Sequence, residues 1–250
     1  MKTVVVTGGA TGIGLAITEY FLKNKWQVMI SSRNVNRLME IKDELSRQYG
    51  AEFIDCCAAD VTDEGSIDKL QKTTNQRFGA VNAVVNNAGI VIKGFVHEMK
   101  SDDWDSIFNT NVKGTFLVSK AFLPEMMNAH KGTIVNISSV SGLAGDYGMT
   151  AYNASKAAIV NMTRAMAMDY GKYGIRVNSV APGPTDTNMF PQEMKGIFSQ
   201  NSPLNRIVKP EEIAKVVYFM STDDSSAITG ETIPVTAGFE LSTGQPNMCS

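Results

Sequence analysis

Short runs of Val, Ile and Ala alternate along the chain with longer stretches of helical periodicity. The runs predict strands at residues 3–7, 27–31, 52–58, 83–86, 133–138, 175–181 and 232–235. Most carry apolar residues at nearly every position, the pattern of strands buried on both faces. Between them, apolar residues at three- and four-residue spacing predict a helix starting near Ile13 and others over 35–49 and 63–78. Two long helices are predicted at about 101–128 and 149–170. Ser101-Asp102-Asp103 reads as an N-cap with acids in the first turn, and Pro210-Glu211-Glu212 as proline opening a late helix. Strand and helix in alternation imply right-handed crossovers. The fold class expected is therefore α/β: a doubly wound Rossmann fold, a seven-stranded parallel sheet with helices on both faces. Residues 1–250 read as a single domain, without repeats or linkers. Segment 184–209 breaks the regularity and is a candidate substrate lid.

Composition narrows the function. A net charge of −2 offers no basic field to nucleic acid or anionic membrane. No apolar run approaches the roughly 18 residues of a membrane span. Met1-Lys2 leads directly into the first strand run, leaving no room for a secretory leader. Cys56 and Cys57 are adjacent and Cys249 stands alone, which argues against a disulfide framework or zinc site. With only His97 and His130 besides, no metal site is expected, and the expected compartment is the cytoplasm.

The first strand runs into Thr7-Gly8-Gly9-Ala10-Thr11-Gly12-Ile13-Gly14 and then a helix. Glycines allow a tight turn and close approach of a pyrophosphate, and the helix N-terminus offers free N–H groups. The spacing is T-G-x-x-x-G-x-G. Further along come Asp60-Val61, Asn86-Asn87-Ala88-Gly89, Asn111, Ser138-Ser139, Tyr152-Asn153-Ala154-Ser155-Lys156, and Pro182-Gly183 with Thr185 and Thr187. In this order the motifs resemble the short-chain dehydrogenase/reductase family over essentially the whole chain, to about Gly238.

The resemblance implies an oxidoreductase that passes a hydride between nicotinamide and a ketone or secondary alcohol. It implies Ser139, Tyr152, Lys156 and Asn111 as catalytic residues. It implies a cofactor site of Gly8, Thr11, Gly12, Ile13, Gly14, Ser32, Arg33, Asp60, Val61, Asn87, Ala88, Gly89, Tyr152, Lys156, Pro182, Gly183, Thr185 and Thr187. Tyr152 and Lys156, four apart, share one helix face. An ammonium about 4 Å from the phenol, at an effective dielectric near 20, favours the phenolate by ~4 kcal/mol, roughly three pKa units. That would bring the tyrosine into range as a general acid or base. Ser139 would hydrogen-bond the substrate oxygen. Ser138 is equivalent in isolation, and only the resemblance selects Ser139. Asn111 would help hold a water that links Lys156 to solvent, and Asn87 would support the cofactor.

Cofactor choice rests on residues 30–37. The position that is acidic in NAD-binding relatives falls on Ser32, with Arg33 directly after it. A carboxylate would repel a 2′-phosphate and an arginine can clamp one. NADP(H) is the expected cofactor, with NAD(H) also possible. Thr11 stands where NADP-preferring relatives often carry a basic residue.

By resemblance, the pocket is lined by residues 90–92 and 140–142, Asp146, Tyr147 and Pro184, under a lid bearing Met189, Phe190, Met194, Ile197 and Phe198. The expected partner is a small carbonyl or alcohol substrate. One alternative is reduction of 3-oxoacyl groups on acyl carrier protein. The segments that would dock a carrier, 126–131 and 172–173, hold Lys131 and Lys172 without an arginine cluster. An alternative of another class is a non-catalytic dinucleotide sensor, which would not need Ser139, Tyr152 and Lys156 together. A homotetramer or homodimer is expected through the two long helices. The end departs from the family: Thr236-Ala237-Gly238-Phe239-Glu240 replaces a D-G-G-like ending, and ten residues follow.

Overall fold

The structure is a computed structural model and describes residues 1–188 and 190–241. Seven parallel strands form one sheet: β1 (Thr3–Thr7), β2 (Gln27–Ser32), β3 (Ile54–Ala58), β4 (Ala83–Asn86), β5 (Gly132–Ile137), β6 (Ile175–Pro182) and β7 (Thr232–Val235). Their spatial order is β3-β2-β1-β4-β5-β6-β7. Every neighbouring pair is parallel, with Val4 beside both Val28 and Ala83 in the register of β1. The doubly wound expectation is met.

Alternation along β1 sends its side chains to two cores. Val4 and Val6 pack with Ile17 and Phe21 of α1 (Gly12–Lys23), Leu38 and Ile41 of α2 (Val35–Tyr49), and Ile213 and Val217 of a late helix. Val5 faces the other way, toward Ile67 and Leu70 of α3 (Glu64–Phe78) and Val118 and Phe122 of a helix beyond β4. All three valines are fully buried, as a strand covered on both faces requires.

The long helix expected at 101–128 is interrupted. α4 (Ser101–Phe108) passes into a π turn, Asn109–Lys113, before α5 (Gly114–Ala129) resumes the α register. Lys100, not Ser101, holds the N-cap position of α4, and Ser101 is its first helical residue; Asp102 and Asp103 do lie in the first turn. β3 begins at Ile54, because Glu52 and Phe53 still belong to a turn in which Phe53 N donates to Gly50 O at 3.1 Å. Met149 precedes α6 (Thr150–Tyr170). The 184–209 segment is less irregular than expected, holding a 3-10 turn at Gln192–Met194 and a short helix, α7 (Lys195–Gln200). Pro210 opens α8 (Pro210–Ser221) at its first turn.

The chain leaves β3 at one edge and re-enters beside β1 as β4. This reversal of strand order opens a crevice at the carboxyl ends of β1 and β4, where doubly wound sheets bind their ligands.

Candidate active site

The glycine turn sits at that crevice. Gly8 takes φ +65°, a left-handed conformation that a side chain would strain, and its N–H donates to Ser31 O at 2.7 Å. A Cβ on Gly14 would lie 2.1 Å from Gly8 O, so only glycine lets α1 start this close to the turn. Thr11, at the N-cap position, makes no side-chain cap bond. Thr11 and Gly12 are exposed, while Ile13 packs back toward the core.

Asn87 ties this turn to the end of β4. Its Nδ2 donates to Thr7 O at 2.9 Å and Gly8 O at 3.2 Å. Thr7 Oγ1 in turn accepts from Asn87 N at 3.0 Å and Ala88 N at 3.1 Å. Asp60 Oδ1 accepts from Thr62 N and Oγ1, at 2.9 and 2.8 Å. Val61 is buried against Gly114, whose added Cβ would meet it at 2.7 Å.

Ser32 ends β2 half-buried and is followed by exposed Arg33. Among the described residues no ion pair includes Arg33, whereas Arg37 pairs with Glu40 at 2.8 Å. On the far side, Pro182 closes β6 and Gly183 N donates to Val235 O at 3.0 Å. Thr185 Oγ1 donates to Gly183 O at 2.7 Å. Thr187 approaches Gly12, with its Cγ2 3.6 Å from where a Cβ there would be. Asn87 thus joins the glycine turn to the end of β4, and Thr187 reaches the same turn from beyond β6.

The candidate catalytic residues converge behind it. A Cβ on Gly89 would lie 3.2 Å from Asn111 Oδ1 and 3.6 Å from Lys156 Nζ, which brings the end of β4, the π turn and α6 to one point. Lys156 Nζ donates to Ile137 O at 2.8 Å and lies 5.7 Å from the centroid of the Tyr152 ring. Asn111 is fully buried. Its Oδ1 accepts from Ile90 N at 2.8 Å, and its Nδ2 donates to Ile90 O and Ser155 Oγ, both at 3.0 Å.

Geometry separates the two serines. Ser138 is engaged at the end of the sheet, with its Oγ 2.6 Å from Ser179 Oγ and 3.2 Å from Val180 O. Ser139 accepts from Ser141 N at 3.2 Å and stands close enough to Tyr152 to influence its titration.

The electrostatics differ from the sequence expectation. Burial dominates at Tyr152 and pushes its phenol above the ordinary range; Ser139 pulls it down, and Asp146 pushes it further up. Lys156, buried without a carboxylate, is pushed down to about 8. The depression of the tyrosine by its neighbouring ammonium is overturned here, because desolvation acts on both groups and disfavours each charged form.

Two contributors were missed from sequence. Ser155 donates to Tyr152 O at 2.7 Å while accepting from Asn111, so it joins the π turn to α6; its place inside Y-x-x-x-K was the available signal. Phe239 was noted only as a departure from the family. Its ring lies 5.6 Å from Phe198, which lies 5.4 Å from Phe190. Leu204 N donates to Ala237 O at 3.3 Å, and Thr185 pairs with Val208 at the base of the same segment. Met189, Cys249 and the tail from 242 fall outside the described residues.

Comparison with known proteins decides the family. The short chain dehydrogenase family matches residues 2–196. The chain belongs to the short-chain dehydrogenase family. As such it is an oxidoreductase of alcohol and ketone groups. This short-chain dehydrogenase is 37% identical to meso-2,3-butanediol dehydrogenase of Serratia marcescens over 250 residues, 99% of this chain and 98% of that one. It is also 37% identical to a 3-oxoacyl-acyl-carrier-protein reductase of Thermotoga maritima, across 96% and 98% of the two chains. Among solved structures, ElxO with NADP bound superposes with a TM-score of 0.91 at 33% identity, covering 96% of this chain and 99% of that one. Levodione reductase does so with a TM-score of 0.92 at 29% identity, covering 96% and 98%. Among the described residues of this short-chain dehydrogenase, no helix is long and apolar enough to cross a membrane.

Proposed function

We propose that this chain is an NADP(H)-dependent carbonyl reductase and alcohol dehydrogenase using Ser139, Tyr152 and Lys156, with Asn111 as the residue that orders them. The observation that carries the reading is the convergence of Gly89, Asn111 and Lys156 beside Tyr152 and Ser139. The crevice fits a dinucleotide: Gly8 and Gly14 let the turn pack tightly against Asn87 and the start of α1, and Thr11 and Gly12 are open to solvent there. Gly8, Gly12 and the first N–H groups of α1 would hold the pyrophosphate. Asp60 and Val61 would face the adenine, Asn87 through Gly89 the middle of the cofactor, and Pro182 through Thr187 the nicotinamide. When bound, the nicotinamide supplies or receives the hydride.

In reduction, the Tyr152 O–H bond breaks and its proton passes to the substrate oxygen as that oxygen gains charge. The Ser139 hydroxyl donates a hydrogen bond to the same oxygen. Burial keeps Tyr152 protonated at neutral pH, the form a general acid needs. Oxidation runs the proton in reverse and needs the phenolate, so it belongs to alkaline pH. Lys156, held by Ile137 O, would grip the nicotinamide ribose and return the proton to Tyr152.

Ser32 and Arg33 support NADP(H), since one leaves space and the other is uncommitted to an ion pair among the described residues. ElxO, a similar fold, binds NADP. Residues 1–250 act as one domain, with 184–209 as the lid. The assembly is a homotetramer or homodimer through α4 to α6, where Phe116 and Met168 are exposed, and the compartment is the cytoplasm. Light scattering showing a monomer at micromolar concentration would remove the assembly.

A second reading, reduction of carrier-bound 3-oxoacyl groups, is favoured by the Thermotoga relative. It is weakened by Lys131, which is occupied by Asp223 at 3.7 Å. NADPH and NADH consumption over a panel of activated ketones tests the proposal. Binding of NADPH with no turnover of any ketone would instead make the chain a dinucleotide sensor.

A further inference from the structure

Two loops form the mouth of the candidate site. One follows Gly89 and is fixed at its base by the Ile90–Asn111 hydrogen bonds. The other follows the Val140–Gly142 turn and is fixed to α6 by Asn153 Nδ2 donating to Ala144 O at 3.1 Å. They are joined to each other: Gly94 N donates to Gly148 O at 2.8 Å, and Gly94 pairs with Met149 as an isolated parallel bridge. The mouth is thus a braced rim.

What the rim presents is apolar. Val91, Phe95, Val96 and Leu143 are between 44% and 67% exposed, and Tyr147 is wholly exposed. Isolated apolar side chains on a surface need no explanation, but several gathered on two braced loops around one opening mark a surface that something apolar covers. Val96 also lines a cavity of about 300 Å³ with Met99, Lys100, Trp104, Asp105 and Thr150. Thr150, the first residue of α6, closes this cavity, so it lies against the start of the helix that carries Tyr152.

Charge adds a second constraint. The rim loops carry Lys93 and Asp146; Asp146 stands exposed on the same loop as Leu143 and Tyr147, and it also adds to the rise of the Tyr152 pKa. An anionic group next to the reacting carbonyl would meet that carboxylate.

We propose that the substrate is an uncharged ketone, or the matching secondary alcohol, bearing an alkyl chain or ring well beyond four-carbon diol size, whose apolar part lies across Val91, Phe95, Val96, Leu143 and Tyr147. The inference rests on the ketone reduction proposed above. It separates this chain from its butanediol-oxidising relative by substrate size, and from carrier-acyl reductases by placing recognition in the substrate's own hydrocarbon.

The test is kcat/KM, with NADPH, for a series of 2-alkanones from butanone to decanone, alongside acetoin, a cyclic diketone and a 3-oxo acid of matched length. Burial of each added methylene should raise kcat/KM by about threefold to fourfold over the first several carbons. The 3-oxo acid should fall below the alkanone of equal length, and Asp146→Asn should narrow that gap. Leu143→Ser combined with Tyr147→Ser should flatten the alkanone slope. A flat or falling series, with butanone and acetoin turned over well, would overturn the inference and leave the reaction standing. Absence of turnover with every ketone would overturn both. A changed oligomer mass in the double variant with an unchanged slope would also overturn it, by making the rim an interface between copies.

Discussion

Lys156 Nζ donates to the carbonyl oxygen of Ile137 at 2.8 Å, so the side chain from α6 is anchored on the last residue of β5. The contact satisfies one of three N–H donors and brings no negative charge. Burial, with no negative charge to offset it, is why Lys156 is pushed down to about 8 from 10.5. A lowered lysine has a definite consequence for stability. Below about pH 8 both folded and unfolded chains carry the proton. Between about 8 and 10.5 the unfolded chain still holds a proton that the folded protein has released. Stability therefore rises with pH across that window, by up to roughly 3 kcal/mol. Denaturant titrations of the cofactor-free protein and of Lys156→Met at pH 7.5 and 10 should show the difference moving in favour of the lysine as pH rises. A difference that stays constant would mean the ammonium is solvated.

Tyr152→Phe keeps the ring and removes the hydroxyl. Turnover should fall by about 10²- to 10⁴-fold while NADPH binding and folding persist. Stopped assays with fluorescence titration of NADPH separate the two, and a loss below about tenfold would exclude Tyr152 as the proton donor.

Asp146 raises the Tyr152 pKa, so its removal should lower it. For alcohol oxidation, which needs the phenolate, the rising limb of the pH–rate profile should move to lower pH in Asp146→Asn. Reduction at neutral pH should change little, because the phenol stays protonated. An unmoved limb would place Asp146 in solvent, too screened to matter.

Ser32→Asp should reverse the cofactor preference. In the wild-type protein, a charged hydrogen bond from Arg33 to a 2′-phosphate, roughly 1.5–3 kcal/mol, should give NADPH an advantage of about tenfold or more. The aspartate adds a ribose ligand and a repulsion together. Arg33→Ala should raise the KM for NADPH and leave NADH nearly untouched. Steady-state kinetics with both cofactors decide, and a wild-type preference for NADH would overturn the assignment.

Phe239→Ala removes the ring against which Phe198 rests. Loss of an aromatic pair of about 0.5–1.5 kcal/mol should raise the KM for ketone by about two- to twelvefold through a looser 184–209 segment. The Kd for NADPH should move less, and Phe239→Leu should restore part of the effect. Equal changes in both constants would make the tail a general stabiliser.

The sheet was readable because its signal is local. Val4-Val5-Val6 and Val84-Val85 have no polar face, so each had to be a doubly covered strand, and the alternation with helices set the parallel order. Motif spacing proposed the site's positions, and among them the structure brings Gly89, Asn111 and Lys156 together. The physics at Tyr152 was not readable, because the i,i+4 spacing to Lys156 says nothing of where Nζ finds its partner. That partner is Ile137, nineteen residues upstream in another element. The π turn was also hidden: five residues are too few to distinguish a 4.4-residue period from 3.6. Ser138 and Ser139 are alike in residue chemistry; the resemblance selected Ser139, and the sheet shows that it is Ser138 that faces Ser179. The tail at Phe239 has no periodicity, and its meaning lies wholly in a contact with a segment forty residues earlier.

The π turn at Asn109–Lys113 also limits which changes of length the chain can accept. Deleting one residue from it would let α4 and α5 merge into one regular helix, a gain for the backbone alone. Each residue advances an α-helix by about 100°, so the same deletion would swing Asn111 away from Ile90 and Ser155. A shorter and locally steadier helix would thus lose the buried amide that links β4 to α6. At this point the chain is constrained in its residue count as strictly as in its chemistry, and a gap here in any relative would signal a differently built site.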